Sequence, residues 1–127
     1  MGVPMLKSLA FLLSLSTVSL FAIEGKYTLT GNDPYNKMSY TGTAEITKDK
    51  NNVYQIKWTF NEGGNITKDR GTGIKMDNIV SFVFKSVKGE KASDEGVQVY
   101  KINNDTLEGP YVLLGQNLVG TEKMKKQ

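Results

Sequence analysis

In Val53-Tyr54-Gln55-Ile56-Lys57-Trp58-Thr59-Phe60, large apolar residues hold every even position and polar ones every odd position after Val53. A period of two puts Tyr54, Ile56, Trp58 and Phe60 on one face and Gln55, Lys57 and Thr59 on the other. That describes a strand with one dry and one wet side. The same alternation recurs along the chain. Tyr40, Ala44 and Ile46 stand against Ser39, Thr41, Thr43, Glu45 and Thr47, and Val80, Phe82 and Phe84 alternate with Ser81, Val83 and Lys85. Tyr100 and Ile102 flank Lys101, and Leu107, Tyr111 and Leu113 repeat the pattern near the end. Beyond residue 22 no segment carries apolar residues at helical spacing for three turns, so the fold is predicted to be all-β.

Clusters of Gly, Asn and Asp separate these runs, the residues that supply the positive-φ positions of tight hairpins. They lie at Gly31–Pro34, Lys48–Asn52, Asn61–Asn65, Met76–Asn78, Lys88–Gly96, Asn103–Asp105 and Gly115–Asn117. Seven breaks predict eight strands, near residues 25–31, 38–47, 53–61, 66–76, 79–87, 97–102, 106–114 and 118–124. Consecutive strands on short loops form an up-and-down meander, and eight is about the number at which such a sheet closes and removes its edges. The expected architecture is a single-domain eight-stranded antiparallel barrel, with a half-open barrel or a β-sandwich as the alternative. Glycines inside the strands, at Gly42, Gly71, Gly73, Gly109 and Gly120, read as kinks that let a small barrel close. Pro110 cannot donate to a ladder and is expected at a bulge or a solvent-facing point.

Ahead of this domain, residues 1–22 carry Lys7, an apolar run from Ser8 to Leu15, and the small-residue stretch Ser16-Thr17-Val18-Ser19 before Ala22. That is the layout of a secretory signal peptide, cleaved after Ala22, with the barrel domain at 23–127. The apolar run is too short and too rich in Ser and Thr for a comfortable membrane span. Export to the periplasm, the outer surface or the medium is expected, with no stable membrane span after cleavage.

Composition narrows the chemistry. The 127 residues contain no His and no Cys. Ser-His-Asp and Cys-His catalysis, imidazole or thiolate metal sites, disulfides and lipidation at an N-terminal cysteine are therefore excluded. Sixteen Lys and Arg against 13 Asp and Glu give a formal net charge of +3, too evenly mixed for a nucleic-acid footprint. No phosphate loop or calcium loop is present, so no cofactor, no metal and no enzymatic activity are expected. The acids Glu90, Asp94 and Glu95 fall in the most hydrophilic loop and read as solvated.

Strand parity offers a candidate site. Arg70, the lone arginine, shares its parity with Thr72, Ile74 and Met76, the more apolar side of its strand. Glu122 shares parity with Leu118 and Met124. With both inside, an arginine and a glutamate form a polar focus in a lumen lined by Tyr40, Tyr54, Trp58, Phe82, Phe84 and Tyr111. They would either bridge each other or greet a polar group of a ligand, since buried charges are seldom unpaired. The alternatives are a bulge that turns one of them to solvent, or a pair that merely closes the barrel end. Arg70, Glu122, Trp58, Tyr40, Tyr54 and Tyr111 are thus the candidate ligand-binding residues, with a small apolar molecule in the lumen as their partner.

The order Gly25-x-Tyr27, Tyr40-Thr41-Gly42-Thr43-Ala44-Glu45-Ile46, Tyr54-x-Ile56-x-Trp58, Gly71-Thr72-Gly73-Ile74, Tyr100, Thr106-Leu107-Glu108-Gly109-Pro110-Tyr111 and Gly120-Thr121-Glu122 spans residues 25–122. It resembles a loose family of small exported bacterial β-proteins often labelled fibronectin-binding. The resemblance implies a secreted, non-enzymatic interaction module, with a host matrix or envelope protein as partner. The charged 88–96 loop and Pro110 depart from that pattern. A weaker likeness, carried by Gly25-x-Tyr27, is to lipocalin-like and avidin-like barrels, which implies a small-ligand carrier.

Overall fold

The computed structural model describes residues 22–87 and 94–127. The export segment read at 1–22 and the head of the charged loop lie outside them, apart from Ala22. Eight strands follow one another without a helix among the described residues: β1 (Gly25–Asp33), β2 (Met38–Lys48), β3 (Tyr54–Glu62), β4 (Asn65–Met76), β5 (Ile79–Ser86), β6 (Glu95–Asn103), β7 (Thr106–Leu113) and β8 (Val119–Lys126). Each pairs antiparallel with its neighbours in sequence, and β8 pairs with β1, closing an up-and-down barrel. Strand boundaries agree with the turn chemistry to within about two residues. The sheet has no edge to protect.

Every ladder keeps a single register, so no bulge interrupts the alternation of faces. Partners Gly25, Ile46, Ile56, Gly71, Phe84, Gly96 and Leu113 form one inward row that climbs from the start of β1 to the end of β7. Such stagger tilts the strands and sets the width of the barrel, which at eight strands accommodates its own side chains or one small ligand.

The two ends differ. At the end carrying the β2–β3, β4–β5 and β6–β7 turns, Ile23, Tyr27, Ile46, Ile56, Val80, Leu107 and Met124 are buried almost completely. Ile23 sits across this end, and its carbonyl accepts the Tyr27 hydroxyl at 2.7 Å. Above this plug lies a layer of rings. Trp58 meets Phe82 and Phe84 edge-on, with centroids 6.0 and 5.8 Å apart, and Phe82 meets Tyr100 at 6.1 Å.

Glycine makes room for these rings. Gly31, Gly73, Gly96 and Gly120 stand directly opposite Tyr40, Phe82, Phe84 and Tyr111, and each ring lies across the bare backbone of its partner. Gly42 serves a closer approach: a β-carbon there would fall 2.0 Å from the Thr59 carbonyl oxygen. Room for rings and close backbone approach is the role the structure gives these glycines.

Pro110 faces solvent, without a bulge. The buried Gln98 covers the gap it leaves in the ladder, donating its side-chain N–H groups to the carbonyls of Val99, Gly109 and Pro110, each at 3.1 Å.

The parity of β4 corrects the sequence reading. Its inward residues are Thr67, Asp69, Gly71 and Gly73, whereas Arg70 and Thr72 point out and Ile74 and Met76 are 69% and 76% exposed. Rings from both flanking strands fill the space in front of β4, so only small side chains fit on its inner face. Apolar content is the wrong guide there. Leu118, expected inward with Glu122, precedes β8 and is exposed.

Candidate functional site

At the other end, the β1–β2 loop, the β3–β4 turn and the β7–β8 loop surround a cavity of about 380 Å³. Its lower wall is aromatic, with Tyr40, Trp58, Phe60, Phe84 and Tyr111. Phe60 takes the Tyr40 ring edge-on at 5.3 Å and stacks over Trp58 at 6.3 Å. Asp33, Glu62, Asp69, Asp94 and Glu122 also line it, and no Lys or Arg is among the described lining residues.

Glu122 occupies the floor, 3% exposed. Its position follows from β8, where Gly120, Glu122 and Met124 alternate inward. One carboxylate oxygen accepts the Tyr40 hydroxyl at 2.8 Å, and the other accepts Trp58 Nε1 at 3.2 Å together with the Tyr100 hydroxyl. Trp58 Nε1 is shared with Tyr100 Oη at 3.1 Å. Burial raises the Glu122 carboxyl to about 7, despite the lowering effect of its hydrogen bonds from Tyr100, Tyr40 and Trp58; Asp69 adds to the rise. Burial and the neighbouring Glu122 likewise push the Tyr40 and Tyr100 hydroxyls upward, so both stay protonated as donors.

The rim carries a second polar cluster. Asn36 donates its side-chain amide to Asp33 at 3.0 Å and to Glu62 at 3.2 Å, bridging the two carboxylates. Partial burial and the nearby Asp33 raise the Glu62 carboxyl. Tyr35 ties the mouth together: its hydroxyl donates to the Leu118 carbonyl and accepts the Leu113 amide at 3.3 Å.

Of the residues expected in the lumen, Glu122, Trp58, Tyr40 and Tyr111 come together here, with Phe84 beside them. Arg70 does not. It lies on the outer face between Lys57 and Lys85, its cross-strand partners, and cannot meet Glu122 through the wall. Tyr54 points inward but belongs to the plugged end, opposite Gly73 and close enough to Glu24 to feel its charge. Phe82 packs below the cavity in the ring layer. Strand parity does not find Asp33, Glu62, Asp69 or Asp94 as lining residues; Asp94 is exposed, as its loop predicts, and stands at the mouth. For Asp69 a signal exists in the volume match between β4 and its ring-bearing neighbours.

Arg70→Met should leave stability within about 0.5 kcal/mol of the parent, as expected for a surface change that also removes like-charge neighbours. Thermal denaturation reads this directly. A loss of several kcal/mol would place the guanidinium in a buried pair after all.

No family model and no curated protein matches this sequence. Among solved structures the chain is similar to designed barrels. A redesigned beta barrel, b11L5F_LGL, shares 8% identity at a TM-score of 0.70, over 83% of this chain and 91% of that one. The redesigned beta barrel mFAP0, bound to DFHBI, gives 8% identity and 0.70 over 82% and 98%. A de novo designed fluorescence-activating beta barrel gives 16% and 0.63 over 86% and 96%. These likenesses bear on the fold, a closed eight-stranded antiparallel barrel.

Proposed function

We propose that the protein is a small-ligand binding barrel that holds its ligand in the lumen. The observation that carries this is the asymmetric filling: one end is packed solid, while the other keeps about 380 Å³ above a hydrogen-bonded floor. That volume falls in the range of ligand sites, and an apolar wall with a few convergent polar groups is their usual lining. A structural neighbour bound to DFHBI and another described as fluorescence-activating support the same reading.

The test is native mass spectrometry of the purified protein, alone and with a panel of small aromatic dyes. Retention of one molecule per chain is expected, and Thr67→Trp, which fills the lumen from its inner wall, should abolish it. Uniformly unliganded masses across the panel would overturn the proposal.

A second reading, an exported module that binds a matrix or envelope protein, draws support from the family resemblance and from the outer face. There Val83, Val97, Val112 and Val119 are successive cross-strand partners over β5 to β8, and three of them are well exposed. Single monomers seldom leave large apolar patches uncovered. Saturable binding to immobilised fibronectin that is lost in Val97→Lys would favour this reading, and its absence would remove it.

A further inference from the structure

The distribution of charge specifies the ligand further, given the lumen as a binding site. The chain carries 16 cationic side chains and 13 acidic ones. Yet the described lining of the cavity holds five carboxylates and no cation. The outward row Lys26, Glu45, Lys57, Arg70, Lys85 and Glu95 mixes both signs, whereas the described lining is acidic only. The fold supplies hydrogen-bond donors to Glu122, Asp33 and Glu62, but no cation among the described lining residues. Glu122 is buried with Asp69 close enough to repel it, and Asp33 and Glu62 face each other across the Asn36 amide. Carboxylates gathered around one cavity are stabilised by a positive charge brought in from outside.

The remaining lining fits such a charge. A carboxylate offers about four lone-pair directions, and the Glu122 oxygens accept Tyr40, Tyr100 and Trp58, which leaves one direction open. Trp58, Phe60 and Phe84 line the same space, and aromatic rings attract cations. Among the described residues no group of three or more acids is disposed to hold a metal ion, which separates this lining from a metal site. Residual apolar wall then needs an apolar body on the ligand.

We propose that the lumen takes a small organic cation, an alkyl or aromatic ammonium, with its charged head beside Glu122 and its apolar body against Trp58, Phe60 and Phe84. This rests on the lumen being the binding site, and the experiment separates the two claims.

Three probes of similar shape differ in charge: benzyltrimethylammonium, its neutral isostere neopentylbenzene, and phenylmethanesulfonate, whose oxygens replace the methyl groups. Trp58, the single tryptophan, reports binding through its fluorescence. The cation is expected to bind at least about tenfold more tightly than the neutral probe, and the anion not at all in the same range. Glu122→Gln should reduce cation affinity about tenfold and leave neopentylbenzene unaffected. Glu62→Gln, at the solvated rim, should weaken the cation by a smaller factor and keeps the test open should the floor variant not fold. Equal binding of cation and neutral probe, or tighter binding of the anion, overturns the charge assignment while keeping the lumen as a site. Calcium chloride that competes with the cation overturns it in favour of a metal. No response to any probe defeats the lumen reading itself.

Discussion

Gly42→Ala should cost the barrel about 3 kcal/mol and lower its Tm by more than about 10 °C. Alanine in place of glycine in a strand ordinarily stabilises by roughly 0.5–1 kcal/mol, because the unfolded chain loses freedom. Here the added methyl would lie 2.0 Å from the Thr59 carbonyl oxygen and 3.2 Å from the Phe60 α-carbon. Those are backbone atoms of β3, locked into ladders with β2 and β4, so the strands must separate. The steric term therefore wins by several-fold. Gly31→Ala makes the contrast. Its methyl would meet the Tyr40 ring at 2.3 Å, a side chain that can swing into the open cavity. That variant should remain folded at a smaller cost and lose the Tyr40 bond to Glu122. Differential scanning calorimetry on the pair decides the matter: equal small effects would mean that the β2–β3 approach at Gly42 is not tight.

The same geometry explains what could be read from the residues and what could not. Strand number and order were legible because the alternation is clean in β2, β3 and β5, and because the turns carry their own chemistry. At Asn104 and Asp77, φ values of 55° and 54° are the left-handed conformations that Asn and Asp tolerate best. Glu122, Trp58, Tyr40 and Tyr111 were legible for the same reason. The face of β4 was not. Parity reasoning assumes that the drier residues point inward, and Ile74 and Met76 are the driest in β4. In a narrow barrel inward space is set by the neighbours, and Trp58 and Phe60 on one side and Phe82 and Phe84 on the other leave β4 only glycine, threonine and aspartate. Opposition of glycine to an aromatic ring in register is the signal that decides such a case. It requires the pairing of strands, which no single strand's periodicity contains. The acid lining escaped for a related reason. Asp33, Glu62 and Asp94 lie at strand ends, where polar residues are expected in any case, and only closure of the barrel brings them around one opening.

Stability should fall by about 2 kcal/mol between pH 5 and pH 8, with Glu122 as the main cause. Its carboxyl titrates near the ordinary 4.5 in the unfolded chain and at about 7 in the barrel. Between those values the folded form keeps a proton that the unfolded form has released. The stabilisation is therefore complete below 4.5 and is lost as pH rises through 7, the opposite of an acid held by a cation. Glu62, also raised, acts in the same direction at the rim. Glu122→Gln should flatten the profile, because a neutral amide can accept from Trp58 and Tyr100 on one side and donate to Tyr40 on the other. The variant would then be the more stable protein above pH 7. Tyr40→Phe should do the reverse: removing a donor to the carboxylate raises the folded-state value further and carries the decline to higher pH. Urea denaturation of the three proteins at pH 5, 6.5 and 8 measures this. A parent whose stability is flat or rising over that interval would show that Glu122 is ionised at little cost, with its three donors sufficient to hold the charge.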